Sequence, residues 1–84
     1  MHDLHLSQKI IKLIEKYAAE NNLRKITRAR IGLGKIIEHG EMISPDNLSV
    51  TLRLLAEGTV AAGAKFLISS REDDSFSLDE IEGQ

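Results

Sequence analysis

The side chains of this 84-residue chain best suited to holding a transition metal are three histidines, His2, His5 and His39, because the sequence has no cysteine. The missing thiols exclude disulfides, thiolate nucleophiles, Cys-ligated zinc and iron–sulfur clusters. Imidazole is a borderline ligand for nickel, copper or zinc, and a planar set of nitrogen donors favours Ni(II) or Cu(II). His2 stands apart by its position. Its imidazole and its own deprotonated backbone amide can join the α-amino group of Met1 in adjoining chelate rings, with the Asp3 amide a further nitrogen within reach. An α-amino pKa of roughly 8 makes that amine a donor near neutral pH. The large His2 side chain disfavours removal of Met1, so Met1 is expected to stay as the amine donor.

Other chemistry is thinly represented. Gly32-x-Gly34 lacks the third glycine and the following helix start of a dinucleotide fingerprint. Ser7 and Ser69 have no histidine and carboxylate placed with them as a triad. Asp73, Asp74, Asp79 and Glu80 lack the Gly-centred twelve-residue spacing of a calcium loop. These absences predict that the protein is not an enzyme. Tyr17, Phe66 and Phe76 are the only aromatic residues, too few for a base-stacking platform.

Composition narrows the class further. Hydrophobic residues make up 42% and charged residues 29% of the chain, an ordinary globular balance for one small domain. No apolar run approaches the ~18 residues of a membrane span, and no secretory signal opens the sequence. A cytoplasmic protein that binds neither membrane nor nucleic acid is expected. The net charge of −2 hides an asymmetry. Residues 1–70 hold ten Lys/Arg against seven Asp/Glu, whereas residues 71–84 hold one Arg against six acids. The body is mildly basic, and the end reads as a solvated acidic tail or, in part, an extra strand.

The elements that must position the histidines follow from periodicity. Residues 7–22 show an amphipathic helix, with Ile10, Ile11, Leu13, Ile14, Tyr17 and Ala18 at spacings of three and four. Ser7 is its expected N-cap, with Leu6 and Ile11 as a hydrophobic staple. From Lys25 to Lys35 the period becomes two: Thr27, Ala29, Ile31 and Leu33 form a buried face, and Arg28 and Arg30 a solvated one. Gly32 and Gly34 indicate a bulge or a close backbone approach. Residues 36–43 either extend this strand into a hairpin or form a loop around Gly40. Ser44-Pro45-Asp46 starts a second helix that buries Leu48, Leu52 and Leu55 and stops at Gly58. Ala64, Phe66 and Ile68 then alternate as another strand, and Leu4 and Leu6 around His5 are a candidate third. The sum is an α+β fold: a small two-layer sandwich with two helices packed on one face of a three-stranded mixed sheet.

The ordered set Met1-His2-Asp3-Leu4, Ser7-Gln8-Lys9-Ile10-Ile11 and Lys25-Ile26-Thr27-Arg28-Ala29-Arg30-Ile31-Gly32-Leu33-Gly34 resembles the HypA family of hydrogenase/urease nickel-incorporation proteins. Pro45-Asp46-Asn47-Leu48 and Leu54-Leu55-Ala56-Glu57-Gly58-Thr59-Val60-Ala61-Ala62-Gly63-Ala64-Lys65-Phe66 are similar to that family's second helix and following strand. The likeness covers about residues 1–70, a nickel-binding domain, and leaves 71–84 as the acidic tail. It implies a nickel metallochaperone that binds Ni(II) through Met1, His2 and Asp3. It further implies delivery, with a HypB-type GTPase, to a nickel-enzyme large subunit or to urease accessory proteins.

Three departures from the family pattern stand out. The paired CxxC motifs of the family's zinc domain are absent, so no zinc site is expected in this chain. Asp3 replaces the usual Glu. The loop before the second helix is a few residues longer and carries Glu38-His39-Gly40-Glu41. In the family that loop lies near the metal, which makes His39 a candidate further ligand and Glu38 and Glu41 outer-shell acceptors; the alternative is a solvated hairpin tip. A protein-interaction module that keeps the fold without metal delivery is the competing function. An exposed sheet edge would let a second copy pair, giving a homodimer.

Overall fold

A computed structural model describes residues 4–38 and 40–84. The elements in chain order are α1 (Leu4–Glu20), β1 (Ile26–Leu33), β2 (Ile37–Glu38), β3 (Glu41–Met42), α2 (Pro45–Ala56), β4 (Lys65–Ser70) and β5 (Phe76–Gly83). The main sheet has the order β4-β1-β5, with β4 parallel and β5 antiparallel to the central strand, and β2 and β3 form a separate hairpin. Both helices close the core over the sheet: α1 packs on α2 and β5, and α2 packs on β4. The expected α+β arrangement of two helices and a three-stranded mixed sheet is the one observed. No described helix is long and apolar enough to cross a membrane.

The third strand comes from the opposite end of the chain to the one first expected. Leu4 and Leu6 belong to α1, not to a strand, because Leu6 stands one turn before Ile10 and lengthens the same buried stripe. Ser7 is therefore no N-cap. It lies fully buried inside the helix, and its hydroxyl has no hydrogen-bond partner among the described residues. The acidic end, expected as a solvated tail or in part an extra strand, supplies β5. Phe76, Leu78 and Ile81 pack against the core, while Glu80 and Glu82 pair across from Arg30 and Arg28.

Two register shifts explain why the alternation was hard to read. Between Arg30 and Ile31 the partners on β5 jump from Glu80 to Leu78, so Asp79 is an extra residue. Between Ile26 and Arg28 the extra residue is Thr27. It is exposed instead of buried, its hydroxyl donates to the Glu82 carbonyl at 3.2 Å, and Ile26 takes the core position.

The second helix begins as expected. Ser44 is extended (φ −90°, ψ 147°) and its Oγ accepts from the Asn47 N–H at 3.2 Å. Pro45 opens the helix and Asp46 sits at the positive end of its dipole. Gly34 makes the anticipated close approach. Its N–H donates to Ser75 O at 2.7 Å, and a Cβ there would collide with the carbonyl oxygens of Asp73 and Ser75. The turn between β4 and β5 is thus held directly against the end of β1.

Candidate metal centre

The arrangement of α1 fixes which end of the fold its first turn occupies. Lys9 and Leu13 border Phe76, which pairs with Leu33 at the end of β1. Tyr17 and Asn21 border segment 78–81, which pairs further back along β1. α1 therefore runs antiparallel to β1, and its first turn points toward the end of β1 from which the 34–42 connection leaves. The start of α1 and the β2–β3 hairpin occupy the same end of the molecule.

Met1, His2, Asp3 and His39 lie outside the described residues. Glu38 and Glu41 are placed by their backbones alone, as directly opposed residues of the hairpin. The hairpin turns at Gly40 (φ 80°) and is closed at its base by the Ile43 N–H donating to Ile36 O at 2.9 Å. His5 is exposed on α1, one turn before Lys9. It is a helical residue, not the middle of the short strand expected around Leu4 and Leu6. Among the described residues, no group of three or more His, Cys, Asp or Glu is arranged to hold a metal ion.

The resolved charge chemistry lies elsewhere and is structural. The Arg71 guanidinium grips the Asp73 carboxylate at 3.0 and 2.6 Å and donates to Ser77 Oγ at 3.0 Å. These bonds, with a backbone bond from Ser75, hold the Asp73 carboxyl well below the usual carboxylate range. On the sheet face away from the helices, Arg28 pairs with Glu82 and lowers that carboxyl's pKa, chiefly by hydrogen bonding. Sequence reasoning missed this pairing. Its signal was present in the alternating Arg28 and Arg30 and the acids Glu80 and Glu82, but the extra residues Thr27 and Asp79 obscured it.

Comparison with known proteins supplies what the local geometry does not. A family model described as "Hydrogenase/urease nickel incorporation, metallochaperone, hypA" matches residues 1–75. The hydrogenase maturation factor HypA of Archaeoglobus fulgidus is 28% identical over 74 residues, which cover 88% of this chain and 64% of that protein. The same factor from Aquifex aeolicus is 31% identical over 68 residues, covering 81% and 56% respectively. The chain therefore spans 56% to 64% of the length of these relatives. The solution structure of the Ni metallochaperone HypA from Helicobacter pylori matches with a TM-score of 0.78 at 15% identity, over 99% of this chain and 97% of that one. At that identity the likeness establishes a common fold.

Proposed function

Because the chain belongs to the HypA family of hydrogenase/urease nickel-incorporation metallochaperones, we propose that it binds Ni(II) at its N-terminus for delivery during hydrogenase or urease maturation. The observation that carries this reading is the family match itself, which begins at Met1 and so takes in Met1-His2-Asp3. The Met1 amine, the His2 imidazole and backbone amides through Asp3 would bind the cargo in fused chelate rings. Nitrogen donors in a plane suit Ni(II). A chelate of consecutive residues opens one ring at a time, as transfer to an acceptor requires. No catalytic step is involved. The acceptors under this reading are a HypB-type GTPase and a nickel-enzyme large subunit or urease accessory proteins, met in the cytoplasm.

The common end of the fold shared by α1 and the hairpin supports a supplementary role for His39 as a further imidazole. Glu38 and Glu41 would then be acceptors that orient the ligands.

The test is calorimetric titration of Ni(II) into protein with its native Met1 terminus. Stoichiometric binding is expected, lost in His2→Ala and in a variant with one residue added before Met1, which displaces the amine donor. His39→Ala should weaken binding less than His2→Ala. Binding that survives both N-terminal changes would overturn the site. No binding by the native form would leave a protein-interaction module as the better account.

A further inference from the structure

Among the described residues, one face of α1 is left without a partner. Lys9, Lys12 and Lys16 recur at spacings of three and four, so they form a single stripe about 10 Å long. All three are exposed, and no ion pair among the described residues engages them. Lys16 reaches back over its neighbour Tyr17, 5.9 Å from the ring centroid. Exposed His5 continues the stripe by one turn toward the N-terminus. Between the lysines and the start of β5 runs a groove of about 400 Å³ lined by Lys9, Lys12, Leu13, Lys16 and Phe76. Leu13 and Phe76 are half-buried and make an apolar floor. The lysine stems extend that floor and keep their ammonium groups at the rim.

We propose that this groove docks an acidic amphipathic segment of a partner protein. One apolar side chain of that segment would rest on Leu13 and Phe76, with carboxylates reaching Lys9, Lys12 and Lys16. The charge pattern selects this occupant. The rim is wholly cationic and the floor apolar, so the complement is a carboxylate-flanked apolar residue. A membrane surface fits less well, because the apolar face of α1 is already buried in the core and leaves little to insert. Nucleic acid fits less well too, because three cations over about 10 Å neutralise few phosphates and a single half-buried aromatic, Phe76, lines the groove, too little for a stacking platform. The groove residues Lys9, Lys12, Leu13, Lys16 and Phe76 are not the proposed donors Met1, His2 and Asp3, so docking and nickel binding are tested by different substitutions.

The experiment uses the full chain and a fluorescein-labelled fourteen-residue helical peptide with glutamates at positions i, i+3 and i+7 flanking a leucine. Fluorescence anisotropy reads the binding. Saturable one-to-one binding is expected. It should weaken by roughly tenfold or more, about 1.4 kcal/mol, in the combined variant Lys9→Gln, Lys12→Gln, Lys16→Gln. It should also weaken at about 1 M salt, where the screening length is near 3 Å. The exposed substitutions should leave the circular dichroism spectrum and Ni(II) titration unchanged. Leu13→Ala should weaken binding without altering its salt dependence. Equal binding of the peptide by wild type and the triple variant would overturn the proposal, as would no binding. Tighter capture by phosphatidylserine vesicles or an oligonucleotide, or a lysine-dependent dimer in light scattering, would overturn it in favour of that occupant.

Discussion

The two flanks of β1 are built from opposite kinds of sequence. On one side β4 is parallel, apolar from Phe66 to Ile68, and free of charge after Lys65. On the other side β5 is antiparallel, carries Asp79, Glu80 and Glu82 within eight residues, and contains a bulge. Both complete the same core. The difference teaches that a strand need not be apolar to be structural. What β5 requires is three inward residues, Phe76, Leu78 and Ile81, and a cationic neighbour for its outward acids, which Arg28 and Arg30 provide. The charges also make β5 an edge that resists further pairing, whereas β4 has no such protection.

Removing residues 71–84 would break this comparison most severely. The truncated chain is expected to lose its cooperative thermal transition, read by circular dichroism, because β1 would lose half its hydrogen-bonded neighbours and α1 the strand beneath it. An unchanged transition would mean that the acidic strand is dispensable after all.

A finer comparison sets Phe66→Ala in β4 against Ile81→Ala in β5. Phe66 is buried in the core and should cost about 3 kcal/mol in urea unfolding, whereas half-buried Ile81 should cost about 1 kcal/mol. Equal costs would show that the two flanks carry the core alike.

The smallest effects belong to the surface pairs. Arg28 with Glu82 and Arg71 with Asp73 are solvent-exposed, so their coupling in double-mutant cycles should be small and vanish at high salt. Both carboxyls have pKa values lowered in the fold. Their contribution is present above the unfolded carboxylate pKa of about 4 and is lost as pH falls through the folded values. The midpoint of thermal unfolding should accordingly drop in acid, and drop less in a variant carrying Asp73→Asn and Glu82→Gln.

The sequence by itself determined the elements whose signals are local. β1 followed from period-two burial at Ala29, Ile31 and Leu33, and the start of α2 from the Ser44 cap and Pro45. Gly34 announced a close approach because only a residue without Cβ fits there. The order of residues from Met1 through Phe66 also carried the family, which no single motif would have done. The proposed donors Met1, His2 and Asp3, and the candidate His39, were legible only as residue types and positions.

Tertiary structure decided what local signals could not. Ser7 reads as a cap in sequence, yet the apolar stripe through Leu6 and Ile10 draws the helix past it, because burying another turn outweighs a capping bond. Segment 76–83 reads as a solvated tail or at most part of a strand, yet is a full strand because arginines further back in the chain, Arg28 standing 54 residues before Glu82, offer its acids a partner and the core accepts its other face. Side-chain alternation is a property of one segment; its meaning depends on the register and charge of the strand beside it, which only the folded chain supplies.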